Sequence, residues 1–215
     1  MSKNLILTLG GLGIGGVGAG GLLALRPWKS KVVTFADRYK HSLLDTVKDN
    51  SAWDNRYSFL KTIKPKHPTL ISAHIEATKT SSSNENEAKR LMKEGCKSIY
   101  KSPFENSEYW DDFKNYCSRT NGDASSGKEW NGEDTTSSSG NKWDASLTSL
   151  KSHEISNGSL PSVLETLKAE IQSKDSFEKT HRDSLKSWCD GVKKEPFMGP
   201  DSLEFRNQEL YCKVK

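Results

Sequence analysis

The chain has 215 residues, of which 33% are hydrophobic, and it carries a formal net charge of +4 with a mean hydropathy of −0.75. Much of the apolar content lies in one N-terminal run, so the remainder is expected to build only a thin core, which argues against one large compact domain. The basic residues alternate with aspartates and glutamates instead of clustering around aromatic side chains, which argues against a nucleic-acid partner.

Residues 5–25, LILTLGGLGIGGVGAGGLLAL, contain no charged side chain. A membrane-spanning helix needs about 20 apolar residues, because each adds ~1.5 Å of rise across roughly 30 Å of hydrocarbon. We therefore predict a single-pass transmembrane anchor at residues 1–25, with residues 5–25 in contact with the lipid bilayer. Glycines at GxxxG spacing let two helices approach closely in lipid, which favours a weak homodimer through the anchor. These glycines are Gly11, Gly15, Gly16 and Gly20.

Two other interpretations of this run are weaker. Gly13, Gly15 and Gly18 fit the G-x-G-x-x-G loop of dinucleotide-binding proteins, with Asp37 in the place of the ribose-binding acid. Pro27 would end the helix that must follow such a loop, so we expect no cofactor there. A cleavable signal peptide would have a shorter apolar core and a small-x-small cleavage site, so a retained anchor is favoured.

Beyond the anchor, apolar residues recur at three- and four-residue steps, which is the spacing of one face of an amphipathic helix. Residues 70–77 fit either a helix or a strand, with a helix favoured. Residues 118–141 are rich in Ser, Gly, Asn and Thr and contain one aromatic residue, so we expect a flexible linker there. The predicted helical stretches are 32–47, 53–63, 88–99, 109–117, 143–150, 160–171, 177–192 and 203–211.

Several motifs occur twice, in the same order, on the two sides of this linker. They are a Trp-Asp pair followed by Leu-Lys, a Cys separated by six residues from a following Pro-Phe, and a Tyr-Cys pair. We infer a tandem duplication and predict an all-α protein, with helical units at 26–117 and 142–215 joined by the linker 118–141. The matched positions are 53–54 with 143–144, Cys96 with Cys189, 103–104 with 196–197, and 116–117 with 211–212.

In each predicted unit, two cysteines bracket a helix, a Pro-Phe turn and a second helix, so they can meet if the two helices form a hairpin. The hypothesis is a pair of disulfides, Cys96–Cys117 and Cys189–Cys212, each adding roughly 3 kcal/mol to a small core in an oxidising location. The alternative is four buried free thiols in a reducing compartment. Positive residues cluster after the anchor, which by the positive-inside rule favours a cytoplasmic domain. The paired cysteines favour an extracellular one, and this is the orientation that we expect.

No catalytic, cofactor-binding or metal-binding arrangement is visible in the sequence. The five histidines are scattered, and the cysteine spacings lack the short steps of zinc sites. His181 lies on an apolar helical face and is expected to pack there. Four tryptophans are interpreted as core residues: Trp53, Trp110, Trp143 and Trp188.

The glycine- and leucine-rich anchor, the helical Ser/Lys/Asn-rich remainder and the spaced Cys, Trp and Tyr-Cys motifs resemble the paralogous families of uncharacterised proteins in haemotropic mycoplasmas. The resemblance implies a cell-membrane protein displayed to the host. We expect a non-enzymatic surface protein of adhesin or variable-antigen type, with a host cell-surface component as its partner. The alternative is a cytoplasm-facing scaffold or regulatory protein held at the membrane.

Overall fold

The computed structural model describes residues 32–81, 83–105, 107–137 and 140–214. The predicted anchor and its four glycines lie outside these residues, so the anchor and its homodimer stay predictions. Within the described ranges, no helix combines the length and the apolarity needed to cross a bilayer. Residues 32–215 belong to one compact unit.

The described residues are helical and contain no β-strand, so the all-α prediction is confirmed. A π-helical turn, Phe113–Cys117, continues α5 directly. A short 3-10 turn, Ile155–Asn157, separates α7 from α8. The helices are α1 Phe35–Arg38, α2 Asn50–Leu60, α3 Pro68–Thr78, α4 Glu85–Lys101, α5 Trp110–Asp112, α6 Asn121–Ala124, α7 Lys142–Lys151, α8 Ser162–Ile171, α9 Lys179–Val192 and α10 Leu203–Tyr211.

The first of two hydrophobic cores is built from α1 to the π-helical turn. The stretch that was ambiguous between helix and strand forms α3, which begins with Pro68 in its first turn and packs along α4. Gly95 makes this close packing possible, because a Cβ there would lie 2.7 Å from Leu70 Cδ2. The fully buried side chains of the first core include Phe35, Trp53, Leu60, Leu70, Met92, Ile99, Phe113 and Tyr116.

The second core is built from α7 to α10. Trp143 is fully buried, as predicted, and its indole N–H donates to the backbone carbonyl of Glu133 at 2.8 Å. His181 is buried, and its Nδ1 accepts the backbone N–H of Glu178 at 3.0 Å, which satisfies a free donor at the start of α9. The other buried hydrophobic residues of this core are Leu147, Leu150, Leu160, Leu164, Leu167, Ile171, Leu185, Cys189, Val192, Tyr211 and Cys212.

Both predicted cysteine pairs lie at disulfide distance. Cys96 and Cys117 have Cα atoms 5.2 Å apart in the first core. Cys189 and Cys212 have Cα atoms 5.5 Å apart in the second. The four-free-thiol alternative is therefore not what the structure contains.

The predicted flexible linker is wrong for residues 118–137, which pack against both cores. Ser118, Asn131 and Thr135 are buried. The backbone N–H of Asn131 donates to the carbonyl of Cys212 at 2.9 Å, and the hydroxyl of Thr135 donates to Asp183 Oδ1. Polar side chains and backbone pairing, rather than apolar burial, hold this segment in place.

The contacts of the two cores correspond in pairs. Four short antiparallel contacts form two matched sets: Thr34 with Pro103 and Leu43 with Ser118 around the first core, then Thr120 with Pro196 and Trp130 with Lys213 around the second. Tyr116 donates its hydroxyl proton to the carbonyl of Ile63, and the Tyr211 hydroxyl bonds the ring of His153. Tyr116 and Tyr211 are matched positions of the predicted repeat, and residues 63 and 153 are offset by 90, as the Trp-Asp pairs are. These contacts support a second unit that begins near Thr120 instead of 142.

Candidate binding groove between the two cores

An open groove of about 1000 Å³ lies between the two cores. It is bounded by α2 and the π-helical turn on one side, and by α6 and the end of α9 on the other. Ligand sites of 300 to 1,000 Å³ are typical of proteins, so this groove lies at the upper end of the range. Its lining residues are Asn55, Arg56, Phe59, Lys114, Asn115, Thr120, Gly122, Asp123, Trp130, Asp190, Gly191, Lys193, Lys194 and Glu195.

Arg56 joins the two sides at the base of the groove. Its Nε and Nη2 donate to the carbonyl of Ser118 at 3.1 and 3.0 Å, and Nη2 also bonds and ion-pairs with Asp123. Asp123 completes a capping box at the start of α6, where its Oδ2 accepts the N–H and hydroxyl protons of Thr120 at 2.8 Å. One guanidinium therefore ties α2 of the first core to the first turn of the second unit.

The first residues of α6 cap the C-terminal end of α9. The backbone N–H groups of Asn121 and Gly122 donate to the carbonyls of Glu195 and Lys193 at 2.9 Å, and the buried Asn121 amide donates to the Val192 carbonyl at 2.9 Å. Carbonyls that lack partners at a helix end are thereby satisfied. Gly122 allows this approach, because a Cβ there would lie 3.1 Å from the carbonyl oxygen of Lys193.

Trp130 carries lysine side chains against its indole ring. Lys193 Nζ lies 4.8 Å and Lys213 Nζ 4.4 Å from a Trp130 ring centroid. Both distances are within the range of cation–π attraction. Lys213 is buried, and burial lowers the pKa of its ammonium although Glu209 lies 3.7 Å away. The ring therefore orders the ammonium of Lys193, which lines the groove, and also contacts the buried ammonium of Lys213.

The acidic groups of the groove are all paired, whereas two of its lysines are not. Asp123 pairs with Arg56, Glu195 with Lys114, and Asp190 with Lys186. The exposed Lys193 and Lys194 have no ion-pair partner among the described residues. The groove consequently presents uncompensated positive charge along the end of α9.

The second disulfide lies directly behind this charged end. Cys189 immediately precedes Asp190 on α9, and Cys212 immediately precedes Lys213, which pairs with Trp130. The bond thus connects the two backbone segments that carry Lys193 and Lys213. Loss of this disulfide is expected to loosen the groove as well as the core.

A buried polar cluster in the first core has a structural explanation. The carboxylate of Asp112 accepts the backbone N–H groups of Lys66 and His67, at 2.9 and 2.6 Å to Oδ2, at the start of α3. His67 Nε2 lies 3.2 Å from the hydroxyl of Ser98, and its Nδ1 is buried without a partner. Ser98 lies inside α4, and the carboxylate bonds the backbone instead of the ring, so the three residues do not form a nucleophilic triad.

In the described part of the chain, no group of three or more potential ligands is placed to hold a metal.

Acidification is expected to destabilise the first core through His67. Burial lowers the pKa of the His67 ring below 6.5 and outweighs the attraction of Asp112. The unfolded chain then binds more protons than the folded one as the pH falls through 6.5, so the free energy of unfolding decreases. Urea unfolding at pH 7.5 and 5.5 checks this: His67→Asn should show a smaller loss than wild type. The exposed His41→Asn is the control, and an unchanged loss in His67→Asn contradicts the assignment.

Arg56→Ala is expected to lower the free energy of unfolding by about 2 kcal/mol. It leaves the capping carboxylate of Asp123 and the carbonyl of Ser118 without their charged donor. Arg90→Ala is the matched control, because Arg90 pairs with Glu87 and Glu94 on the exposed face of α4. Its removal should cost less than about 1 kcal/mol. Equal losses in the two variants would show that Arg56 adds nothing beyond a surface ion pair.

Sequence reasoning missed every residue at the base of the groove. The predicted core tryptophans Trp53 and Trp143 are buried, and Trp110 and Trp188 pack against their cores as partly buried residues. Trp130 fell in the expected linker, although its presence in a polar run and the T-x-x-D capping pattern at 120–123 were signals of order.

Comparison with protein-family models, with curated proteins and with solved structures finds no match.

Proposed function

We propose that this chain is a non-enzymatic surface protein, anchored in the cell membrane through residues 5–25, whose helical domain binds a partner outside the cell. The adhesin or antigen class inferred from the sequence is the form that fits best. The observation that carries the proposal is one disulfide-paired set of cysteines in each of two separate cores. Structural disulfides persist in oxidising surroundings and are rare in the cytosol.

Each core is small, so a disulfide adds a substantial part of its stability. Among the described residues, the first pair closes a loop of 21 residues in a core of 15 buried hydrophobic residues, and the second closes a loop of 23 residues in a core of 12. Small extracellular domains that cannot build a large core are commonly stabilised in this way. We therefore place the domain on the outer side of the membrane and treat the two cores as a tandem repeat.

The distribution of charge favours a second candidate, the cytoplasm-facing scaffold. Four basic residues account for the whole formal charge of +4, because residues 32–215 contain 28 basic and 28 acidic side chains. Three of the four follow the predicted anchor, where the positive-inside rule expects the cytoplasm. They are Lys3 before the apolar run and Arg26, Lys29 and Lys31 after it.

Thiol trapping in cells that produce the full-length chain separates these functions. Cells are quenched in acid, and their proteins are denatured and treated with N-ethylmaleimide. The mass of the chain from the membrane fraction is then measured by mass spectrometry. The surface function predicts no adduct without reduction and four adducts after it. Four adducts without reduction indicate a reducing compartment and favour the scaffold. A variant lacking residues 5–25 should leave the membrane fraction, and its retention there would contradict the anchor.

A further inference from the structure

We propose that the groove between the two cores binds an extended acidic segment of a partner protein. Carboxylates of the segment would meet Lys193 and Lys194, and an apolar side chain between them would meet Phe59. This inference rests on the proposed binding function and gives the class of ligand that the groove recognises.

The charge of the groove selects an anionic ligand. The carboxylates of Asp123, Asp190 and Glu195 are already paired with cations, so they add little repulsion. Lys193 and Lys194 are exposed and have no ion-pair partner among the described residues. Charge-assisted hydrogen bonds from such ammonium groups to carboxylates are stronger than those between neutral groups.

The position of Lys193 is fixed before a ligand arrives. Its Nζ lies 4.8 Å from the centre of a Trp130 ring, and its carbonyl oxygen accepts the N–H of Gly122 at 2.9 Å. Its neighbour Lys194 has its backbone N–H bonded to the carbonyl of Gly191 at 3.0 Å. Because the backbone that carries both ammonium groups is held, binding loses less conformational entropy.

The other side of the groove offers what an extended peptide needs. Phe59 is 41% exposed on α2, so it provides an apolar contact without rearrangement. Asn55 and Asn115 line the same groove, and carboxamides both donate to and accept from peptide groups. The groove is partly open to solvent and its lining comes from several segments of the chain, so a peptide can lie in it without being enclosed.

An acidic saccharide is the main competing ligand, and the geometry of Trp130 disfavours it. Sugars are commonly held by stacking on an aromatic face. The Trp130 indole is occupied by the ammonium groups of Lys193 and Lys213 and packs against the second core. These two ammonium groups leave less of the ring available for a sugar to stack on.

Fluorescence anisotropy with the full-length chain in detergent micelles tests the inference. The probe is a fluorescein-labelled peptide, Gly-Glu-Glu-Phe-Glu-Glu-Gly, and the control peptide has glutamine in place of each glutamate. The acidic peptide should bind at about 50 mM salt and weaken as salt screens the charges. Lys193→Gln with Lys194→Gln should weaken binding at least about tenfold, as expected for loss of one or two charge-assisted bonds.

Matched variants keep the result interpretable. Lys97→Gln with Lys101→Gln removes the same charge from an exposed part of α4 and should change affinity less than about twofold. Lys194→Gln alone is the second groove variant, because Lys193 contacts Trp130 and its loss alters the fold locally. Lys194→Gln should weaken binding severalfold with an unchanged melting temperature.

Three outcomes overturn the inference. One is equal binding of the acidic and glutamine peptides, and another is equal loss in the groove and α4 variants. The third is lysine-dependent binding of a heparin-derived hexasaccharide without binding of the peptide, which assigns the groove to acidic saccharides. Failure of the proposed surface function can be distinguished from failure of this inference. It would appear as four free thiols in the trapping experiment, whether or not the acidic peptide binds.

Discussion

Removal of the two disulfides is expected to lower the free energy of unfolding by roughly 3 kcal/mol for each bond, from the entropy of loops of this length. The closed loops span 21 and 23 residues, one in each core. Domains are stable by only about 5 to 15 kcal/mol, so loss of both bonds removes a large part of the total. Fully reduced protein should therefore be substantially unfolded at 37 °C.

The two bonds are expected to differ in their consequences. Eight partly buried hydrophobic residues pack against the first core, whereas three pack against the second among the described residues. The Cys189→Ala, Cys212→Ala variant should therefore unfold at lower urea than Cys96→Ala, Cys117→Ala. Circular dichroism during urea titration measures both transitions. The quadruple alanine variant is the control, because reductant should change its transition no further, and a wild-type transition insensitive to reductant would contradict the account.

Asp144→Ala is expected to cost about 3 kcal/mol of stability, because it leaves a buried guanidinium without its carboxylate. The Arg182 side chain is 3% exposed, and its Nε and Nη2 donate to Asp144 at 2.6 and 3.0 Å. The pairing with Asp144 also raises the pKa of the Arg182 guanidinium, so the group stays charged when buried. Asp144 itself is 29% exposed, which keeps the expected loss at the lower end for a buried pair.

The proposed repeat supplies a matched control for this variant. Asp54 and Lys89 occupy the equivalent positions in the first unit, and their ion pair is 2.6 Å long. Those side chains are 62% and 24% exposed, and Lys89 also pairs with Glu85. Asp54→Ala should therefore cost less than about 1 kcal/mol.

Equal losses for the Asp144 and Asp54 variants in urea unfolding would contradict this explanation. A further variant separates the buried charge from the lost contacts. Replacing Arg182 by Met in the Asp144→Ala background removes the unpaired charge, so stability should partly return. No recovery in the double variant would show that packing, and not charge, sets the cost.

Most of the helices and both cysteine pairs could be predicted because each depends on short-range pattern. The helix predicted at 32–47 is wrong beyond its first turn, because only Phe35–Arg38 is helical there and Val47 is exposed. The apolar residues of α4 and α9 recur at helical spacing, and each helix places one cysteine on its buried face. The Pro-Phe turn and the Tyr-Cys pair then bring the second cysteine back to it. For residues 70–77, the apolar pattern fits a helix and a strand equally. The helix is stabilised by close packing of Leu70 on Gly95, which the pattern does not contain.

The order of residues 118–137 could not be predicted from composition. Composition measures how much apolar surface a segment can bury, whereas this segment is held by one capping box and by backbone pairing with distant residues. The groove was missed for a related reason. Arg56, Lys114, Asp123 and Lys193 come from four segments, and only the relative position of the two cores brings them together.

The central claim is that the disulfide-paired domain lies outside the cell, and surface labelling tests it most directly. Intact cells that produce the full-length chain are treated with a membrane-impermeant amine-reactive biotin, and labelled lysines are mapped by mass spectrometry. Lys97, Lys101 and Lys194 are exposed, so the account predicts that they are labelled in intact cells as strongly as in opened ones. Labelling of these lysines only after the membrane is opened would contradict it.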